Sequence, residues 1–147
     1  MIHTLKTPYF LIPLFDHALV RYILALGWTF ALLVALLQSS RQPVVGPAAP
    51  PGDPDALREV MLTTGHIIGF TGLTLLWWWA YVKTLPSRRA LIIAILIALI
   101  LGTVTEFLQT AVADRNASLD DLAVNWLTTL ITAGVIARLM HHAPKST

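Results

Sequence analysis

The stretch ALIIAILIALILGTVTEFLQT, Ala90–Thr110, decides the fold: it is almost wholly apolar, yet it carries a carboxylate, Glu106, near its far end. A hydrocarbon core ~30 Å thick takes ~20 residues at a helical rise of ~1.5 Å each. Backbone groups in lipid must pair within their own segment, so such a stretch is a helix. Outward from it, Ala18–Leu37, Val60–Val82 and Leu119–Met140 have the same character. The expected fold class is therefore all-α, a polytopic membrane bundle of four transmembrane helices.

Composition agrees. The 147 residues are 56% hydrophobic and 12% charged, with mean hydropathy +0.69, whereas a soluble domain is roughly 25% charged. Cysteine is absent, which excludes disulfides, thiolate nucleophiles and cysteine metal sites. The net charge of +2 comes from basic residues scattered between apolar segments, with no stripe of the kind that binds nucleic acid. A cleaved secretory signal is the rival reading of Ala18–Leu37, but its apolar run exceeds the usual ~7–15 residues and no convincing small-residue cleavage site follows.

The connections set the organisation. Residues 1–17 read as a short cytoplasmic or interfacial arm, with Pro8 and Pro13 among Tyr9, Phe10 and Phe15; 18–140 is the membrane domain and 141–147 a cytoplasmic tail. Gln38–Glu59 holds Pro43, Pro47, Pro50, Pro51 and Pro54 and reads as an extended, solvated loop without helix. Lys83–Arg89 and Ala111–Ser118 are short, which makes neighbouring helices antiparallel. Lys6, Arg21, Lys83, Arg88, Arg89, Arg138 and Lys145 collect on one side, against Arg41, Arg58 and Arg115 on the other. The excess of positive residues inside places both termini in the cytoplasm of a cell-membrane protein, with Trp77, Trp78, Trp79 and Tyr81 as an inner aromatic belt.

With that topology, intramembrane polar residues converge on one depth. Glu106, sixteen residues above Ala90, lies ~24 Å up, close to the outer surface. His66 lies ~9 Å down the second span, Asp121 at the mouth of the fourth and Asn125 one turn deeper. Glu106 and Gln109 share a helix face, as do Asp121 and Asn125. A carboxylate facing lipid is costly, so Glu106 needs a partner, and Arg115 and His66 are the cation and donor at that level. Ser118, three residues before Asp121, forms a weak capping box, so Asp121 has a purely helix-capping alternative.

The run Glu106-x-x-Gln109, Arg115 and Asp121-x-x-x-Asn125, with His66 in the preceding span, resembles the VanZ-like family of small bacterial membrane proteins. The resemblance covers roughly Ala18–Met140 and implies a membrane domain of about four spans, associated in some members with resistance to glycopeptide antibiotics, teicoplanin especially. The chain departs from the family pattern at Leu62 and Thr63, where Asp-Lys is frequent, and at Thr128, where Gly is common.

Three readings of the polar layer follow. It binds an envelope lipid or cell-surface, glycopeptide-type ligand at the outer face, with Gln109, Arg115, Asp121 and Asn125 as binding residues. Alternatively, it is an enzyme site in which His66 or Glu106 acts as general acid or base on a lipid-linked substrate. Or it is only a packing network, with interhelical hydrogen bonds worth ~0.6 kcal/mol on average. Transport would need polar residues through the full depth. No cofactor is expected, and a metal held by His66, Glu106 and Asp121 is set aside: no His-x-x-x-His or Glu-x-x-His pair exists on any span, and His141 and His142 fall at the opposite end.

Overall fold

A computed structural model describes residues 17–38, 55–112 and 117–142, and these are helical throughout apart from short turns. The helices are α1 (Ala18–Leu37), α2 (Asp55–Tyr81), α3 (Ser87–Gln109) and α4 (Leu119–His142), with no strand among the described residues. All four are long and apolar enough to cross a membrane. The arm at Thr7–Asp16, Arg115 and most of the proline-rich loop lie outside the described residues.

The loop expectation needs one correction. Asp55–Glu59, assigned to the extended segment, is the first part of α2. The proline constraint ends at Pro54, and the Asp-Ala-Leu-Arg-Glu that follows contains good helix formers. At the other end, α2 closes in a turn in which Leu85 N–H donates to Tyr81 O (2.8 Å), and Pro86, with φ −54°, leads into α3.

Large apolar side chains point outward: Phe107 is 74% exposed and Phe30 69%. A surface of this kind is a liability in water and the natural face toward lipid. The interior is built from small residues. On α3, Ala90, Ala94, Ala98 and Gly102 recur every fourth residue and are buried, forming one stripe that ends at buried Glu106. Small side chains let helices approach closely where no hydrophobic driving force separates core from lipid.

α2, α3 and α4 each pack against the other two, and α1 lies against α2 and, less extensively, α3. Trp28 Nε1–H donates to Gly69 O and Trp77 Nε1–H to Thr29 Oγ1, both at 3.0 Å. Gly72 makes room for the Trp28 ring, since a Cβ there would lie 2.6 Å from Trp28 Cε2. Leu32, Leu36, Phe70, Leu73 and Ala98 form the adjoining apolar cluster.

The end bearing the described residues Arg21, Lys83, Arg88, Arg89 and Arg138 is the basic end. Buried Arg21 donates from Nη1 to Trp79 O (3.0 Å), with its guanidinium carbon 4.4 Å from the centre of the Trp79 ring. That carbonyl belongs to the last turn of α2, where intrahelical partners run out, so Arg21 caps α2 as well as marking the basic end.

Candidate functional site

At the opposite end, α2, α3 and α4 bring together the polar residues that depth alone had grouped. His66 comes from the buried face of α2, Glu106 and Gln109 from the end of the small-residue stripe on α3, and Asn125 from α4. His66 is 1% exposed, Gln109 and Asn125 are 0% exposed, and Glu106 is also buried. Gly102 lets α3 come close at this level: a Cβ there would lie 3.2 Å from both Asn125 Cβ and Phe70 Cε1.

His66 Nδ1 lies 2.7 Å from Asn125 Oδ1. An amide oxygen only accepts, so Nδ1 carries the hydrogen, and in the neutral ring Nε2 is left with its lone pair. Nε2 has no hydrogen-bond partner among the described residues, and neither do Gln109 Oε1 and Asn125 Nδ2. The bundle's threonines contrast with this. The hydroxyls of Thr29, Thr74, Thr105 and Thr129 are all satisfied by carbonyls of their own helix three or four residues back.

Glu106 Oε2 accepts the backbone N–H of Ser118 at 3.0 Å, and Ser118 Oγ accepts the N–H of Asp121 at 3.3 Å. Ser118 immediately precedes α4, so a carboxylate from α3 sits at the positive end of the α4 dipole. In a full capping box the Asp121 carboxylate would take the Ser118 N–H. Glu106 takes it instead. The capping alternative for Asp121 is therefore met by Ser118 and Glu106, and half-buried Asp121 turns to other neighbours: one ligand-type atom from each of His66, Glu106 and Asp121 lies within 4.8 Å of the other two.

Gln109 divides its roles. Its Nε2 donates to Leu36 O (3.3 Å), one of the last carbonyls of α1, so it ties α1 to the bundle while Oε1 is buried with no partner among the described residues. Of the six residues expected at the site, the structure gathers His66, Glu106, Asp121 and Asn125 and sets Gln109 at the α1 boundary. Arg115 lies outside the described residues.

Sequence reasoning missed two contributors. Ser118 was read only as a cap, whereas its N–H anchors Glu106; Gly102 was not singled out, though its place in the Ala90-Ala94-Ala98-Gly102 stripe was a legible signal. It also missed an apolar groove of about 460 Å³ along the seam of α2 and α4, lined by Thr71, Leu75, Trp78, Val135, Leu139 and Met140. Thr71 follows His66 by five residues and Ile131, also on its wall, follows Asn125 by six, so the groove runs from below the polar cluster toward the basic end.

No known protein family, curated protein or solved structure matches this chain, so its likeness to the VanZ-like family rests on the quoted residues themselves.

Proposed function

We propose that the protein is a multi-pass protein of the cell membrane that binds the polar head of an envelope lipid or lipid-linked, glycopeptide-type ligand in the cluster of His66, Glu106, Asp121 and Asn125. On this reading the cluster opens to the outer face, and the α2–α4 groove takes the apolar tail. Arg115, assigned to the site by the VanZ-like resemblance, supplies a fork for phosphate or carboxylate.

One observation carries the reading. His66 Nε2, Gln109 Oε1 and Asn125 Nδ2 are buried with no partner among the described residues. A buried polar atom left unsatisfied costs about 1–3 kcal/mol, more than the ~0.6 kcal/mol average of an interhelical hydrogen bond, so a network meant only for packing would be poorly built. Two such atoms on the paired side chains His66 and Asn125 suit a site that a ligand completes. An acid–base role for His66 is the second reading, favoured by the Asn125 contact that leaves Nε2 as an acceptor.

The test is mass spectrometry of lipids retained by the full chain extracted from its native membrane, for the wild type and for Glu106→Gln. Glutamine keeps an oxygen to accept the Ser118 N–H, so the fold should survive. The expected result is an enriched species in the wild type that the variant loses at unchanged melting temperature. Identical lipid profiles would overturn the binding reading.

A further inference from the structure

Two carboxylates and an imidazole, delivered by three different helices, meet within 4.8 Å at the polar end, and they have a chemistry beyond hydrogen bonding to a ligand. We infer that His66 Nε2, Glu106 and Asp121 form a binding site for a divalent transition-metal ion of the zinc class.

The donor set fits. Imidazole nitrogen with carboxylate oxygens is a combination that zinc and its first-row neighbours accept, with metal–ligand distances of about 2.0–2.2 Å. Tetrahedral ligands at that range lie about 3.3–3.5 Å apart. The three ligand-type atoms lie within 4.8 Å of one another, little more than an ångström from that spacing.

The second observation is independent of the clustering. His66 is 99% buried, and its Nε2 has no partner among the described residues. Its Nδ1–H is held by Asn125 Oδ1 at 2.7 Å. Metal-binding histidines are oriented in this way, with the second ring N–H donated to an oxygen that fixes the tautomer and turns the lone pair to the ion. Asn125, one helical turn below Asp121 on the same face of α4, is the positioning residue. The Ser118 N–H on Glu106 Oε2 fixes the glutamate in the same manner.

Charge points the same way. Two adjacent carboxylates repel in a low-dielectric layer, and a divalent cation bound between them relieves that repulsion. Three protein ligands leave at least one coordination position open, as in zinc sites that take up a further oxygen ligand. If the lipid-binding reading also holds, that position is where a head-group oxygen would sit. The metal site does not depend on it.

The experiment uses the full chain in detergent, stripped with chelator and equilibrated with zinc alone. A background carrying His141→Ala and His142→Ala removes the paired histidines at the basic end. We expect about one zinc per chain by elemental analysis and a raised melting temperature on zinc addition. Asp121→Asn leaves the Ser118 cap in place and should weaken zinc binding by at least about tenfold; Asn125→Ala should weaken it by about 10- to 100-fold while the three ligands remain. Cobalt in place of zinc should give visible absorption that Asp121→Asn abolishes. Sub-stoichiometric zinc, or stoichiometric zinc unaffected by Asp121→Asn and His66→Gln in folded protein, would overturn the site. Because no lipid enters the assay, its failure would leave the lipid reading to its own test.

Discussion

The two ends of the Asn125 amide differ: Oδ1 accepts from His66, while Nδ2 is buried with no partner among the described residues. The side chain thereby sets which His66 nitrogen carries the hydrogen. In ¹⁵N-histidine NMR of the neutral ring, His66 should appear as the Nδ1–H tautomer, and an Nε2–H signal would contradict the assignment. Asn125→Leu removes the hydrogen-bond partner that His66 Nδ1 has among the described residues and leaves that donor buried. Its expected cost is about 1–3 kcal/mol, read from unfolding in detergent, with the His66 resonances shifted. Glu106→Gln is expected to behave differently, since the amide oxygen still accepts the Ser118 N–H. Stability should change by less than about 1 kcal/mol while retention of the ligand is lost.

Among the elements, α3 is the ruler of the site. Its stripe Ala90, Ala94, Ala98 and Gly102 repeats at four residues and continues to Glu106, so the face that admits α2 and α4 also delivers the carboxylate. Gly102→Val should push α3 away from Asn125 and Phe70, at a cost of about 1–3 kcal/mol, and weaken ligand retention with it. Ser118→Ala removes the oxygen that accepts Asp121 N–H and should cost about 1 kcal/mol in unfolding measurements while leaving the Ser118 N–H on Glu106. These elements explain what was legible beforehand. Four spans and the depth of Glu106, His66 and Asn125 followed from hydropathy and helical rise, because lipid forces long apolar helices and a fixed rise sets depth. Which carboxylate serves which N–H did not follow, because the Glu106–Ser118 contact joins two helices and spacing along one helix carries no information about it. The trio of His66, Glu106 and Asp121 was legible as a possible ligand set but was set aside, since the spacing test weighed only pairs on one span and three helices supply these atoms. The early start of α2 was missed because the prolines were read as a block, although none lies beyond Pro54 in that segment.

For the molecule as a whole, one basic end and one polar end fix a direction, and from the bias of Lys and Arg we propose that the polar end faces outward. The absence of cysteine makes that proposal testable. Ala117→Cys, at an exposed position before α4, should react with a membrane-impermeant thiol reagent in intact cells, and Ser87→Cys, exposed at the start of α3, should react only after permeabilisation. The reverse pattern would move the cluster to the cytoplasmic face. Beneath both orientation and ligand lies the claim that three helices deliver His66, Glu106 and Asn125 to a single buried layer. Paired cysteine cross-linking tests it most directly. In the cysteine-free chain in its native membrane, His66→Cys with Asn125→Cys, and Glu106→Cys with either of them, should join efficiently with a short bifunctional thiol reagent. Phe107→Cys, one residue from Glu106 but 74% exposed on the lipid side, should not join to either partner. Equal linking through positions 106 and 107, or no linking between 66 and 125, would contradict the account.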